Sequence, residues 1–282
     1  MTNTEWMRTG PDGREPVELR TDVPHSARMY DYYLGGKDNF PADRAAAERF
    51  VANAPSVPDA ARANRRFLGR AVRFACEQGI SRFLDVGTGI PTAENTHEVA
   101  QSVDPAAQVV YVDNDPIVLA HARALLSSKN GSGSTAFLGA DFRDPEAILS
   151  APATRKLLEP GEPVCLMMVA LLHFFADEEA YASVRRLTAA LPDRSLVVLS
   201  HLTSDFSTPE SDEEGRRIYR EAGIPLTTRS REEVEHLLAD SGLTLLAPGV
   251  VPTIDWRPGD HPSDAALTAE LVCTYAAVAA KD

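Results

Sequence analysis

The chain has 282 residues, of which 44% are hydrophobic, so it is long and apolar enough to bury a sizeable core. Its 41 acidic and 28 basic residues give a formal net charge of −13, which disfavours nucleic acid as a partner. Cys76, Cys165 and Cys273 are far apart without metal-ligand spacing, which is typical of thiols in a reducing cytosol. No apolar run resembles a signal peptide or a membrane span, so we expect a cytoplasmic protein without a membrane partner.

The first third of the sequence is predicted to be helical. Residues 1 to about 21 are polar with several glycines and prolines, a composition typical of a loose arm. Helices are predicted at residues 26–33, 41–54 and 58–78, before any strand. Apolar residues recur at helical spacing along the third of these, and arginines indicate its wet face. These arginines are Arg62, Arg65, Arg66, Arg70 and Arg73.

A buried strand at residues 82–86, a turn on Gly87 and Gly89, and a helix at residues 92–102 follow in that order. Thr92 is the predicted N-cap of this helix. Strand, glycine turn and helix open a doubly wound α/β domain, in which ligands bind at the carboxyl ends of strands. Glycines let a ligand approach the backbone closely, and a helix N-terminus attracts an anion.

Strands and helices then alternate to the end of the sequence. Further strands are predicted at residues 109–113, 135–139, 164–169, 195–201, 244–251 and 270–278. Helices are predicted at residues 116–127, 145–150, 177–191, 214–222 and 231–241. Connections are predicted at residues 130–134, at residues 203–214, and in a long surface loop around Trp256. We divide the chain into an arm with a helical cap, 1–78, and a main domain, 79–282, that forms one compact unit with the cap.

Three predicted strands have an aspartate at or close to their carboxyl end. These are Asp85, Asp113 and Asp141. Asp113 stands about where a second-strand carboxylate meets ribose hydroxyls in nucleotide-binding sheets. Asp113 or Asp115 could instead cap the next helix, but Asp115 directly precedes Pro116 and already meets that need.

The glycine loop lacks one part of a dinucleotide fingerprint. Gly-x-Gly-x-x-Gly would need glycine where Thr92 stands, which disfavours a nicotinamide-dependent oxidoreductase. The pattern Asp85-x-Gly87-x-Gly89 instead resembles the first motif of class I S-adenosylmethionine-dependent methyltransferases, with Pro91 where a third glycine often follows.

A second stretch carries a narrower resemblance. Asp22-Val-Pro-His-Ser-Ala-Arg-Met-Tyr-Asp-Tyr-Tyr-Leu-Gly-Gly-Lys-Asp-Asn-Phe40 is similar to the signature of an actinobacterial S-adenosyl methyltransferase family, formerly described as a domain of unknown function. The resemblance covers residues 24–281. It implies an α/β, Rossmann-like class I methyltransferase fold: a seven-stranded, mostly parallel sheet with an antiparallel last strand, preceded by an N-terminal helical cap.

The resemblance also implies S-adenosylmethionine as cofactor, S-adenosylhomocysteine as product, and no metal. The backbone of Gly87-Thr88-Gly89 would meet the cofactor's amino-acid end, with its carboxylate near the following helix N-terminus. Asp85 would contact the ammonium group, often through water. Asp113 would bind the ribose diol. The alternative for Asp85 is a core aspartate that caps its own loop.

At the adenine end, Asn114 would flank the base and Asp141 would accept a hydrogen bond from its amino group. Phe142 would add an N–H or ring contact. A turn aspartate is the alternative for Asp141. Ala170-Leu-Leu-His-Phe174 follows the fourth strand, where class I enzymes line the methyl group and the acceptor. His173 is a candidate general base because imidazole titrates near neutrality, and a structural histidine is the alternative.

An aromatic and charged cluster surrounds Gly35-Gly36. Its members are Arg28, Tyr30, Tyr33, Lys37 and Asp38. We expect residues 24–40 to lie over the cofactor and exclude water, with Tyr33 or Arg28 in contact with the cofactor or the acceptor. The alternative is a helix pair packed on the sheet edge.

The predicted function is methyl transfer to a small molecule. No Asn-Pro-Pro-Tyr or Asp-Pro-Pro-Tyr motif of nucleic-acid amino methylases follows the fourth strand, because Ala170-Leu-Leu-His173 stands there. Oxygen is favoured over nitrogen or carbon as the acceptor atom. The alternative is a non-catalytic sensor that binds S-adenosylmethionine or S-adenosylhomocysteine. The sequence leaves open the acceptor's identity and whether the protein is a monomer or a homodimer.

Overall fold

The computed structural model describes residues 19–126, 133–159, 161–259, 261 and 266–282. The predicted arm at residues 1 to about 21 therefore lies almost wholly outside the described residues, as does most of the predicted turn at 130–134. Within the described ranges, no helix combines the length and apolarity needed to cross a membrane.

The centre of the molecule is a mixed sheet. Its strands are β1 (Arg82–Val86), β2 (Gln108–Asp113), β3 (Ser134–Gly139), β4 (Cys165–Val169), β5 (Leu196–Leu202), β6 (Leu243–Leu245), β7 (Val251–Pro252) and β8 (Thr274–Lys281). The order across the sheet is β3-β2-β1-β4-β5-β8-β6, with the short β7 also paired to β8. The first five strands are parallel, and β8 runs antiparallel between β5 and β6. The predicted antiparallel last strand is confirmed.

Helices cover both faces of this sheet. They are α1 (Ser26–Leu34), α2 (Pro41–Asn53), α3 (Val57–Glu77), α4 (Thr96–Val103), α5 (Pro116–Leu126), α6 (Pro145–Ser150), α7 (Pro152–Leu158), α8 (Asp177–Ala189), α9 (Pro209–Glu221), α10 (Arg231–Asp240) and α11 (Ala269–Val272). Side chains alternate along each strand, so Leu84 joins the core under α8 and α10 while Phe83 joins the core under α3.

A third apolar cluster joins the N-terminal helices to α9. Met29 and Tyr33 of α1, Phe50 of α2, and Ile218 and Tyr219 of α9 are all buried together. The Phe50 and Tyr219 rings meet edge to face with centroids 4.9 Å apart. The cap is therefore held by its own core against a helix distant in sequence.

Two predicted boundaries are wrong around the loops. The helix after β1 begins at Thr96 rather than Thr92, because Pro91 and Glu94, whose φ is 58°, keep the loop out of helical conformation until Asn95. There the Glu98 carboxylate accepts the Asn95 N–H at 3.1 Å. Helix α9 begins at Pro209 inside the predicted polar connection, since the Thr208 hydroxyl accepts the Ser211 N–H as an N-cap.

The last strands also differ from the prediction. The predicted strand at 244–251 is two short strands, and α11 replaces the start of the predicted strand at 270–278. The predicted surface loop instead folds inward. Its Trp256 is fully buried, and the Trp256 ring centroid lies 5.4 Å from that of Phe67 and 5.7 Å from that of Phe74. Arg70, assigned to the wet face, donates to the Trp256 and Thr253 carbonyls instead.

Candidate active site

A cleft opens at the carboxyl ends of β1, β2 and β4, beside α1 and α3. This strand-end cleft encloses about 350 Å³, within the range of small-molecule sites. Its sheet-side wall includes Asp85, Gly87, Gly89, Asp113, Phe142 and Ala170. The first turn of α1, residues 26 and 27, and the two residues before it lie on the opposite side, together with Tyr30.

The glycine loop has the backbone conformation that glycine favours. Gly87 has φ +74° and Gly89 has φ +67°. A Cβ on Gly87 would stand 2.4 Å from Leu171 Cδ1, whereas one on Gly89 would meet no atom within 4 Å. Gly87 is thus favoured by its φ, and a Cβ there would force the Leu171 side chain to move, whereas a Cβ on Gly89 would enter open space.

Asp85 is buried at the end of β1. Its Oδ2 accepts the Thr96 hydroxyl at 2.6 Å and the Thr88 hydroxyl at 3.5 Å, which ties the loop to the start of α4. Burial raises the pKa of Asp85 to about 6, and these hydrogen bonds and the nearby Arg65 oppose the shift. Asp85 therefore caps its own loop and also lines the cleft.

Asp113 joins two backbone segments at the end of β2. Its Oδ2 accepts the Gly89 N–H at 2.8 Å, and its Oδ1 accepts the Asp115 N–H at 2.9 Å. Asp115 in turn accepts the Ile117 N–H, as a helix N-cap does. Burial raises the pKa of Asp113, while the two N–H donors oppose the shift. The carboxylate is held rigidly at the cleft wall.

The third predicted aspartate has a different partner. Asp141 accepts from the Arg143 guanidinium at 2.7 Å and from the Asn114 amide at 3.2 Å, and Arg143 lowers the pKa of Asp141 to about 2. Asn114, Phe142 and Arg143 line the cleft. The Phe142 ring is buried 4.7 Å from that of Phe175. Arg143 thus lines the cleft, whereas its partner Asp141 does not.

A second cavity adjoins the cleft. This inner cavity lies between the cap, α9 and the segment after β4, and its wall includes Tyr33, Phe50, His173, Phe174, Thr203 and Tyr219. Five residues line both cavities: Ser26, Tyr30, Asn64, Ala170 and Phe174. Ala170 has φ 55°, a strained value for a residue with a Cβ, and its N–H is held by the Ser200 hydroxyl at 2.9 Å.

His173 is buried in the wall of the inner cavity and does not line the cleft. Its Nδ1 accepts the Leu202 N–H at 3.4 Å, and burial holds the pKa of His173 well below its usual value. The neighbouring His201 accepts from Arg229 at 2.7 Å, and burial lowers its pKa to about 3. Both imidazoles are therefore uncharged at neutral pH.

The predicted cap residues fall into two groups. Tyr30 lines both cavities and Tyr33 lines the inner one, where its hydroxyl meets that of Tyr219 at 3.1 Å. Arg28 lines neither, because its buried guanidinium pairs with Asp43 at 3.4 Å and Asp115 at 3.2 Å.

Two further cap residues also lie outside both cavities. Lys37 is exposed, and Asp38 pairs with His121 at 3.7 Å on the surface. The start of α1, with Tyr30, therefore borders the cleft. The charged residues of the predicted cluster, Arg28, Lys37 and Asp38, lie in the cap but outside both cavities.

Sequence reasoning missed several residues of the cleft. They are Asn64, Arg65, Leu68 and Arg143, whereas His25 and Ser26 belong to the segment 24–40 that was expected to cover this site. Arg65 was assigned to the wet face of α3, yet it lines the cleft and donates to the carbonyls of Ala93 and Glu94. Nothing in the helical periodicity distinguishes Arg65 from Arg62. Among the described residues, no group of three or more potential ligands is arranged to hold a metal ion.

The strand order, the antiparallel β8 and a cleft at the strand ends together define a class I methyltransferase fold. A magnesium protoporphyrin IX methyltransferase from Synechocystis, solved with S-adenosylhomocysteine, shares this fold at 13% identity and a TM-score of 0.53, over 90% of this chain and 93% of that one.

The family follows from the sequence itself. The profile of the S-adenosyl methyltransferase family matches residues 12–282, and this chain belongs to that family. A DUF574 family protein from Streptomyces avermitilis is 42% identical over 94% of this chain and 100% of its own, with a TM-score of 0.88. A candidate methyltransferase from Thermobifida fusca is 41% identical over 94% and 97%, with a TM-score of 0.84. No curated protein has a matching sequence.

Proposed function

We propose that this protein binds S-adenosylmethionine in the strand-end cleft and transfers its methyl group to a small molecule in the inner cavity. One observation carries the proposal: the two cavities share a wall that contains Tyr30, Asn64 and Ala170. A cofactor in one cavity and an acceptor in the other would therefore lie next to each other beside these shared residues. Such proximity is the main requirement of methyl transfer.

The cleft suits the adenosyl half of the cofactor. Each Asp113 oxygen accepts one backbone N–H and keeps a lone pair that can accept a ribose hydroxyl. Phe142 and Asn114 offer an apolar ring and an amide beside the place for adenine. Because Arg143 already engages Asp141, we assign Asp141 a supporting role that orients Asn114 and Arg143.

The amino-acid half of the cofactor fits the other end of the cleft. Asp85 can accept from an ammonium group, which would also favour its ionised form. The N-terminus of α4 is occupied by its own Asn95 and Glu98, so we assign the cofactor carboxylate to Arg65 instead.

The chain's own residues would mainly hold, orient and shield the reactants. When bound, S-adenosylmethionine would supply an electrophilic methyl group to the acceptor atom, with S-adenosylhomocysteine as the leaving group. The start of α1 and Tyr30 would shield the reactants from water, and Ala170 would contact both reactants because it lines both cavities.

The acceptor is proposed to be a small molecule that reacts through oxygen. The net charge of −13 opposes a nucleic acid. The inner cavity offers no strong base among its described residues, since burial lowers the pKa of His173 and so weakens it as a base, and Asp212 pairs with Arg216 at 2.5 Å. A protonated amine or a carbon acid would need such a base, whereas an acidic hydroxyl would not.

Calorimetry with S-adenosylmethionine, S-adenosylhomocysteine and NAD tests the proposal. We expect the first two to bind and NAD not to bind. Binding of NAD alone would contradict it. A screen of small hydroxylated acceptors with methyl-labelled cofactor then separates an enzyme from a sensor, since binding without transfer to any of them favours the non-catalytic alternative.

A further inference from the structure

Asn64 is a buried amide at the border between the two cavities. It lies on α3, is 3% exposed, and lines both the strand-end cleft and the inner cavity. Its Nδ2 donates to the Tyr30 hydroxyl at 2.9 Å. Its Oδ1 is buried and has no hydrogen-bond donor among the described residues. Buried acceptors are almost always paired in folded proteins, so this one points to a ligand.

The orientation of the Asn64 amide follows from its neighbour. The Tyr30 hydroxyl has a single proton, which it donates to the Ala61 carbonyl at 3.1 Å. The same hydroxyl can therefore only accept from Asn64, which places the amide NH₂ group against Tyr30. A flipped amide would draw the hydroxyl proton to its own oxygen and so break the hydrogen bond to the Ala61 carbonyl. The Oδ1 atom is thus the group that stays unpaired.

The wall of the inner cavity describes the molecule that would supply the donor. Phe50, Phe174 and Tyr219 are close together, with Phe174 and Tyr219 centroids 6.1 Å apart. The hydroxyls of Tyr33 and Tyr219 bond to each other, so those rings present mainly apolar surface. The nearby Asp212 carboxylate is neutralised by Arg216. Such a wall favours an uncharged, flat, apolar body.

We propose that Asn64 is a specificity residue that accepts a hydrogen bond from a hydroxyl on an uncharged ring-bearing acceptor, whose apolar body fills the inner cavity. The inference rests on the proposed function and names the acceptor's class. The role is recognition and orientation, because an amide oxygen is too weak a base to remove the proton. The cofactor's ammonium group is the competing donor, and Asp85 in the cleft is the group already suited to it.

The test uses the full chain loaded with S-adenosylhomocysteine and two probes, 2-naphthol and 2-fluoronaphthalene. They share a ring system and differ in the hydroxyl donor. By ligand-observed NMR titration we expect the wild type to prefer 2-naphthol by about tenfold, since a buried polar group rejects an analogue that leaves it unpaired. In Asn64→Leu the preference should fall below about twofold, with any loss of S-adenosylhomocysteine affinity smaller than about tenfold.

Asn53→Leu is the matched control. Asn53 lines the same cavity, but its amide already donates to the Ser211 carbonyl at 3.1 Å. This variant should keep the preference for 2-naphthol. If Asn64→Leu does not fold, Asn64→Ala carries the same expectation, because it also removes the amide oxygen.

The outcomes are separable. If the wild type does not bind S-adenosylhomocysteine, the proposed function fails. If it binds S-adenosylhomocysteine but shows no preference between the probes, or binds neither, only the present inference fails. An Asn64 variant that keeps the preference and loses more than about tenfold in S-adenosylhomocysteine affinity would assign Asn64 to the cofactor and overturn the inference.

Discussion

The strand-end cleft and the inner cavity adjoin each other but are built differently. The cleft is formed largely by residues at the ends of consecutive strands, so Gly87, Asp113 and Phe142 each follow a local strand signal. The inner cavity is assembled from α1, α2, α9 and the segment after β4, and its rings meet across the length of the chain. Local signals therefore reveal the proposed cofactor site, whereas the proposed acceptor site depends on tertiary packing.

The largest expected effect is at the glycine loop, which lines the strand-end cleft. Gly87→Val should reduce S-adenosylmethionine affinity by more than ~100-fold, because valine resists positive φ and its Cβ would displace Leu171. Calorimetry measures the loss, and thermal unfolding separates it from misfolding. Gly89→Ala is the control, because alanine there would be strained by the positive φ but its Cβ would meet no atom within 4 Å. It should reduce affinity clearly less than Gly87→Val.

An Asp113→Ala variant should weaken S-adenosylmethionine binding by roughly 1.5–3 kcal/mol, the scale of lost hydrogen bonds to a charged group. Because Asp113 also holds the Gly89 N–H, the melting temperature should fall as well. Asp38→Ala, on the surface and outside both cavities, should change neither quantity. Unchanged affinity in Asp113→Ala would refute the ribose assignment.

Arg65 tests a part of the cleft that the sequence did not reveal. Arg65→Gln should weaken S-adenosylmethionine binding about tenfold, the scale of a partly exposed charge pair that is lost. Arg62→Gln is the matched control on the same helix, because Arg62 is exposed and its ion pair within the described ranges is with Asp59. Equal affinities for the two variants would remove Arg65 from the proposed carboxylate site.

The smallest effect concerns pH. The folded pKa of Asp85 is about 6, above its ordinary value of 3.8, so the native state binds this proton more tightly than the unfolded state. Stability therefore falls as pH rises between these values, by about 1 kcal/mol from pH 5 to pH 6. In Asp85→Asn the free energy of unfolding, measured with urea, should no longer show this fall between pH 5 and pH 6. A variant with the wild-type pH slope would show that Asp85 ionises normally.

The fold could be predicted because its signals are local and repeated. Apolar strands that end at Val86, Asp113 and Gly139 set the parallel sheet, whereas the antiparallel last strand was expected from the family resemblance. The loops were harder, since nothing adjacent to Trp256 in sequence reveals that Phe67 and Phe74 enclose it.

The candidate site was predictable on its sheet side and at the start of α1, but not along α3. Asn64 and Arg65 line the cleft from α3, and helical periodicity could not distinguish them from exposed neighbours. Arg28 has the composition of a ligand-binding residue, yet it binds Asp43 and Asp115 inside the cap. The residue type alone therefore could not show that Arg28 stabilises the cap instead of binding a ligand.

A crystal structure with S-adenosylhomocysteine tests the central claim most directly. We predict both ribose hydroxyls within hydrogen-bond distance of the Asp113 carboxylate, the amino-acid end beside Gly87 and Arg65, and the inner cavity left free for an acceptor. An adenosyl group lying in the inner cavity between Phe50 and Tyr219, away from Asp113, would contradict the assignment of both cavities.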